Sequence, residues 1–161
     1  MIPLFEDDKQ WEKLLEVLSS WEGTPYRHLQ MVKGRGADCA LFLGAVLLEA
    51  KVLEGVSYDY YSKDWFMHTD HELIIDGIIR HLKDNVSLKY KGKVLRKPKF
   101  EDLVRGDVVG FSTVVSGATN HASMYLGGKR MMHSVYGRTV SETQFGNYWK
   151  QKITATFRIM K

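Results

Sequence analysis

Cysteine is nearly absent from this sequence: its 161 residues include one, Cys39. A single cysteine excludes an internal disulfide framework, a C-x-x-C zinc site and a thioredoxin-type redox pair. Proline is also scarce, with three residues, and no repeat, low-complexity tract or Pro/Gly/Ser-rich linker divides the chain. A chain of this length buries ~70% of the surface that its unfolded form exposes. We therefore predict a single domain over residues 1–161, with a core that needs no metal or disulfide.

Long hydrophobic runs are also missing. The longest nearly continuous one covers residues 40–48, far fewer than the ~20 residues that a membrane-spanning helix needs. The N-terminus reads MIPLFEDDKQ, without the basic region and apolar stretch of a signal peptide. We expect a protein made in the cytoplasm with no membrane partner, which needs another delivery route if it acts outside the cell.

Charge of one sign is in small excess, with 23 Lys and Arg against 19 Asp and Glu. That balance does not by itself indicate a nucleic-acid partner, and we expect none. Basic residues do cluster between Lys89 and Lys99. The favoured interpretation is the solvated face of a strand, and the alternative is a surface for an anionic polymer such as a cell-wall polyanion or nucleic acid.

The first half of the sequence has helical periodicity. Asp7 and Asp8 are suited to cap a first helix that ends near Gly23. Asp38 caps a second segment, residues 38–49, that is apolar on nearly every side and therefore predicts a buried helix. A third helix is predicted over residues 70–83, with a capping box at residues 69–72. The apolar stripe of the first helix consists of Trp11, Leu14, Leu15, Leu18 and Trp21.

The second half changes to the period of two that is typical of strands. Alternation begins near Val86, and a short apolar run follows at residues 108–111. Residues 121–125 and 129–135 flank Gly127-Gly128 and predict a hairpin, and residues 153–159 alternate as a final strand. Helices followed by strands indicate the α+β class, with N-terminal helices packed on a C-terminal antiparallel β-sheet.

Cys39 is the candidate nucleophile. At the start of a helix, a thiol is exposed to the partial positive charge of the helix end, which favours the reactive thiolate and lowers the pKa. The adjacent Asp38 acts in the opposite direction, because a like charge disfavours the thiolate. The alternative is a buried, inert cysteine, since free cysteine is among the most buried residue types.

Two of the six histidines, His121 and His133, lie on the two arms of the predicted hairpin. A two-residue loop at the glycines would place their side chains on opposite faces of the sheet. We predict a three-residue loop or a glycine bulge, which would place His121 directly opposite His133 on one face. In the alternatives, one histidine is solvated and the other packed, or zinc binds Cys39 and both histidines. The spacing matches no short zinc motif, so we predict no metal and no cofactor.

Several stretches together resemble the NlpC-type family of papain-like cysteine peptidases, which cut peptidoglycan stem peptides. The resemblance spans about residues 21–135. It depends on the order of G-T-P-Y at 23–26, D-C at 38–39, G-D-x-x-x-F at 106–111, H-x-x-x-Y-x-G at 121–127 and a second histidine at 133. A narrower likeness, to peptidases encoded with phage tails, depends on Y-S-x-D-W at 61–65.

The resemblance implies a papain-like fold and a Cys-His-His triad. Cys39 would be the nucleophile, His121 the general base and His133 the residue that orients His121. Tyr26 and Asp38 would bind the substrate, and the bond cut would join D-glutamate to the diamino acid. Where the family commonly has D-C-S-G-F, this chain has Ala40 and Leu41, which leaves the subsite preference open.

Other functions on the same fold are also consistent with the sequence. One is a non-catalytic module that binds the cell wall or forms part of a phage tail, since a fold does not determine a function. Another is acyl transfer to an amine or lipid. The phage-tail likeness implies tail components as partners and a location in the virion tail or at the cell wall.

Overall fold

A computed structural model describes residues 1–68, 72–82, 90–115 and 117–161 of the chain. The predicted capping box at 69–72 and the alternation that starts at Val86 fall largely outside these residues, as do Lys83 and Lys89. Among the described residues, no helix is long and apolar enough to cross a membrane.

Helix α1, Asp8–Trp21, follows a short 3-10 turn at Leu4–Glu6. Its N-cap is Asp7, whose carboxylate accepts the backbone N–H groups of Lys9 and Gln10 at 3.0 and 3.2 Å. Four of the five residues in the predicted stripe are buried, and the stripe packs on the core as expected. Gly23 adopts φ +86° just after the helix, which is the left-handed stop that the sequence predicted.

Helix α2, Cys39–Glu49, confirms the second predicted helix. Asp38 is its N-cap and accepts the N–H of Leu41 at 2.9 Å. Apolar residues on nearly every side predicted full burial, and α2 lies between α1 and the sheet. Between α1 and α2, strands β1, Met31–Val32, and β2, Gly36–Ala37, form a small antiparallel pair.

Two further helices follow. Helix α3, Trp65–His68, is a single turn in a segment that the sequence left unassigned. Helix α4, Leu73–Leu82, corresponds to the third predicted helix, and Ile75 on its apolar face is buried. The predicted start and end of this helix lie outside the described residues.

The main sheet has six antiparallel strands in the order β3-β8-β4-β5-β6-β7. The sheet and the helices on it confirm the predicted α+β architecture. Strand β7 and the short helix α5, Asn147–Lys150, were not predicted. The strands are β3 Lys91–Arg96, β4 Val108–Phe111, β5 His121–Gly127, β6 Arg130–His133, β7 Ser141–Gln144 and β8 Ile153–Met160.

The two faces of this sheet pack on two separate clusters. Met124 and Phe157 face the larger cluster, which the helices complete. Tyr125, Met131 and Phe145 belong to the smaller cluster on the opposite face. Because side chains alternate along a strand, His121 shares the face of Tyr125, and His133 shares the face of Met131.

The basic segment runs along the edge of the sheet. Strand β3 pairs with β8 on one side only. Lys91, Lys93 and Arg96 are exposed on it, whereas Val94 packs against the larger cluster. This pattern agrees with the favoured interpretation of the segment as a strand with a solvated face, and charged residues on an edge strand also discourage pairing with other chains.

Candidate active site

Cys39 is the first residue of α2, and its side chain is 7% exposed. Burial raises the pKa of its thiol to about 12, and the negative charge of Asp38 adds to this effect. The backbone N–H groups of Ala122, Ala40 and Cys39 itself favour the thiolate, but to a smaller extent. The expectation that the helix end lowers this pKa is therefore wrong, because desolvation outweighs the helix end. Cys39 rests as a neutral thiol.

His121 lies at the start of β5, one residue before the Ala122 N–H that acts on the Cys39 sulfur. The packing of α2 on β5 thus brings the thiol and this imidazole together across 82 residues of sequence, from 39 to 121. Nε2 of His121 lies 2.9 Å from Nδ1 of His133, and the two buried rings form a hydrogen bond there. Since Nε2 is engaged by His133, Nδ1 is the nitrogen of His121 that is available to a thiol.

The hairpin register corrects one part of the sequence prediction. Met124 pairs with Met132 and Tyr125 with Met131. Continuing this register by one residue places His133 opposite Ser123 and not opposite His121. The predicted direct pairing is wrong by two residues. The shared face is confirmed, because a bulge between Tyr125 and Gly127 restores the parity that a two-residue turn alone would reverse.

Aromatic rings surround the histidine pair. Trp149 of α5 lies 5.3 Å from the ring of His121 and 5.4 Å from that of His133, measured between centroids. Phe111 stacks on His121 at 5.9 Å. Burial lowers the pKa of His121 to about 3, helped by the neighbouring His133. Burial also lowers the pKa of His133 to about 4, helped by the charge of Arg138. Both rings are therefore neutral near pH 7. Because both side chains are buried, the alternative of one solvated histidine is excluded.

Thr143 of β7 extends the hydrogen bonding of the histidine pair. Its Oγ1 lies 3.2 Å from Nε2 of His133. Neither Thr143 nor Trp149 was identified from the sequence, since no spacing links either residue to the histidines. Both reach them only because β7 pairs with β6 and α5 follows β7.

Asp38 is buried beside Cys39, and its carboxylate has three hydrogen-bond donors. Leu41 N–H donates to Oδ1 at 2.9 Å and Leu29 N–H to Oδ2 at 3.1 Å, and the hydroxyl of Tyr61 also donates to Oδ2. His28 Nε2–H in turn donates to the carbonyl of Tyr61 at 2.6 Å. Tyr61 belongs to the stretch of the narrower likeness, but no role was assigned to it from the sequence.

Tyr26 lies in a loop that bridges to Ala37, close to Cys39. Burial, together with the charges of Cys39 and Asp38, raises the pKa of its hydroxyl above the ordinary value, so it remains a hydrogen-bond donor. Tyr26, Asp38, Cys39 and Tyr61 all line one cavity of about 410 Å³. This volume is within the usual range of small-ligand sites. Three of the five site residues predicted from the sequence thus line this cavity, whereas His121 and His133 are not among its lining residues.

Among residues 1–68, 72–82, 90–115 and 117–161, no group of three or more His, Cys, Asp or Glu side chains is placed to hold a metal ion. The chemistry that the arrangement supports is proton transfer between a thiol and an imidazole, with a second imidazole and a hydroxyl behind it.

The neutral histidines predict acid sensitivity. In the unfolded chain a histidine binds its proton near pH 6.5, whereas the folded pKa values are about 3 for His121 and about 4 for His133. Between these values the unfolded state binds more protons, so the free energy of unfolding decreases as the pH falls. From pH 7 to pH 5, we expect a loss of about 2–4 kcal/mol from the two groups together.

Urea unfolding of the parent and of the His121→Gln/His133→Gln double variant at pH 7, 6 and 5 measures this loss. The double variant controls for carboxylates, which titrate in both proteins. Its stability should change less with pH than that of the parent, and parallel curves for the two proteins would contradict the prediction.

A family model described as the NlpC/P60 family matches residues 23–158. No curated protein sequence matches the chain significantly. The narrower likeness to phage-tail peptidases finds no support among the matches.

Solved structures share the fold. NlpC2 from Trichomonas vaginalis superimposes with a TM-score of 0.62 at 16% identity, over 94% of this chain and 47% of that protein. The peptidoglycan hydrolase RipB from Mycobacterium tuberculosis gives 0.56 at 16% identity, over 99% and 70%. RipD from the same organism, described as a non-catalytic NlpC/P60 domain protein adapted to peptidoglycan binding, gives 0.51 at 12% identity, over 92% and 95%. This chain thus spans less than half of the Trichomonas protein.

Proposed function

The chain belongs to the NlpC/P60 family, and from that premise we propose that it is a cysteine peptidase acting on peptidoglycan stem peptides. The observation that carries the proposal is the placement of Cys39 at the N-terminus of α2, beside the strand that starts with His121. The 2.9 Å hydrogen bond from His121 to His133 supplies the third member of a triad. Tyr26 and Asp38, on the wall of the same cavity, are proposed to bind the substrate.

The reaction begins with a proton transfer. Nδ1 of His121 accepts the thiol proton of Cys39 while the sulfur attacks the amide carbonyl of the substrate. Backbone N–H groups around the sulfur, including that of Cys39, stabilise the oxyanion, an effect typically worth ~3–4 kcal/mol per donor. His121 then gives its proton to the leaving amine, and water releases the acyl group from the sulfur.

The resting state of this site is neutral, since burial opposes both the thiolate and the imidazolium. General-base catalysis suits such a pair, because the charges form only when the substrate carbonyl and the N–H groups stabilise them. The carboxylate of Asp38 opposes the thiolate less strongly than a free carboxylate would, because three donors hold it.

Two finer points extend this proposal. The bond cut is proposed to join D-glutamate to the diamino acid, as the family resemblance implies. The alternative is a wall-binding module without catalysis, which the similarity to RipD favours. The thiol, both imidazoles and the hydrogen bond between them are nonetheless all in place here, which favours catalysis.

Incubation of the protein with purified soluble muropeptides, followed by mass spectrometry of the products, tests the proposal. A peptidase should release two fragments whose masses add up to the substrate plus one water, and the fragment masses identify the bond. A protein that sediments with insoluble peptidoglycan but leaves the muropeptides intact would support the binding module instead.

A further inference from the structure

Thr143 contacts the histidine pair at His133. Its Oγ1 is 3.2 Å from Nε2 of His133, and Nδ1 of His133 is 2.9 Å from Nε2 of His121. His133 is 3% exposed, so water does not compete freely for these contacts. Thr143, His133 and His121 thus form one hydrogen-bonded chain that ends at Nδ1 of His121.

The direction of hydrogen bonding along this chain decides what His121 can do. A neutral imidazole carries one N–H, so it donates from one nitrogen and accepts at the other. If His133 donates from Nε2 to Thr143, its Nδ1 must accept from Nε2–H of His121. Nδ1 of His121 then has a free lone pair. In the opposite direction, Nδ1 of His121 carries the proton and accepts none from Cys39.

The hydroxyl of Thr143 can accept from Nε2–H of His133, as the first direction requires, or donate to an unprotonated Nε2 in the opposite direction. We assign it as the acceptor because only that direction leaves Nδ1 of His121 free for the thiol proton. Without the hydroxyl, the Nε2–H of His133 would be buried with no partner among the contacts of this ring, which is unfavourable. Protonation of His121 does not reverse the chain, because the imidazolium still donates from Nε2 to Nδ1 of His133. One direction therefore serves both the resting and the charged state.

We propose that Thr143 is a positioning residue that selects the His133 tautomer and so leaves Nδ1 of His121 free to accept a proton. This inference rests on the proposed peptidase function for its kinetic consequences. The tautomer assignment depends only on the hydrogen-bond chain. Thr143 itself does not line the cavity that Cys39 lines.

Kinetics of muropeptide cleavage test the proposal with variants of similar shape. Thr143→Val removes the hydroxyl and should lower kcat by about 10- to 100-fold with little change in KM, the usual cost of losing a residue that orients a functional histidine. Thr143→Ser keeps the hydroxyl and should recover activity to within about 3-fold of the parent. Glu142 lies on the same strand as Thr143 and forms an exposed ion pair with Arg130 of β6. Glu142→Gln controls for general damage to β7 and should leave kcat unchanged.

A double variant separates positioning from mere stability. In a His133→Asn background the hydroxyl has no imidazole to orient, so adding Thr143→Val should lower kcat little further. A full additional loss would overturn the proposal, as would a Thr143→Val variant with the parent's kcat. If the valine variant does not fold, Thr143→Ala provides the same comparison.

Nitrogen-15 NMR of the histidine side chains tests the tautomer without any substrate. In the parent, Nε2 of His121 should carry the proton and Nδ1 should have the shift of an unprotonated nitrogen. Thr143→Val should shift both rings towards the other tautomer. A protein that cleaves no muropeptide but shows this pattern would lose the proposed function and keep the inference, whereas identical tautomers in parent and variant would overturn the inference alone.

Discussion

Replacing Cys39 with alanine is expected to lower muropeptide hydrolysis on the order of 10⁴-fold or more, since loss of the nucleophile removes the covalent route. The rest of the site should stay intact, because Asp38 still caps α2 and the histidine pair contacts other residues. Initial rates of product formation by mass spectrometry measure the effect. Thermal unfolding of both proteins should show similar midpoints, which separates lost chemistry from lost structure.

The sequence provides a second test of this residue. Cys39 is the only cysteine, so a thiol reagent such as iodoacetamide reports on this one sulfur. Mass spectrometry that finds one adduct should coincide with loss of activity. If the alanine variant and the fully alkylated parent both hydrolyse muropeptides at the parent rate, Cys39 is not the nucleophile and the proposed mechanism is wrong.

Replacing Arg158 with methionine is expected to destabilise the protein by about 3–5 kcal/mol, because it leaves a buried carboxylate without its cation. Arg158 donates to Asp107 from Nε at 2.9 Å and from Nη2 at 2.7 Å. The side chain of Asp107 is 1% exposed. Burial raises the pKa of Asp107 even with this partner. The buried carboxylate is therefore unfavourable even when the ion pair is intact. Urea unfolding at pH 7 measures the change.

Arg130 provides a matched control. It forms an ion pair with Glu142 at 2.5 Å, but the two side chains are 44% and 40% exposed. Exposed pairs contribute little, so Arg130→Met should cost less than about 1 kcal/mol. Adding Asp107→Asn to Arg158→Met should recover part of the loss, because it removes the unpaired charge. Equal losses at Arg158 and Arg130 would contradict this account.

The same ion pair explains one motif of the resemblance in structural terms. The G-D pair at 106–107 does not line the cavity at Cys39. Gly106 has φ +86°, and a Cβ there would come within 2.1 Å of the Phe5 ring. Asp107 accepts both Arg158 and the N–H of Val104 at 2.9 Å. The G-D pair therefore anchors the turn before β4, whereas Phe111 at the end of the same motif stacks on the ring of His121.

Local patterns were sufficient to predict the three longer helices, α1, α2 and α4, but not the single turns α3 and α5. The stripe from Trp11 to Trp21 and the caps at Asp7 and Asp38 involve residues a few positions apart, so the sequence alone contains the relevant interactions. The hairpin was also predictable, since glycines mark its turn. Its register was not, because Gly127, Gly128 and Lys129 all adopt positive φ and combine a bulge with the turn.

The features of the candidate site likewise fall into those that the sequence predicts and those that depend on the tertiary structure. The sequence determined which residue types could react and on which elements they lie: Cys39 at a helix start, and His121 and His133 on the two arms of a hairpin. Only the tertiary structure decided that the thiol is neutral, that Nε2 of His121 meets His133, and that Thr143 and Trp149 complete the surroundings. Periodicity is encoded by near neighbours, whereas burial and contacts between distant strands depend on how the whole chain packs.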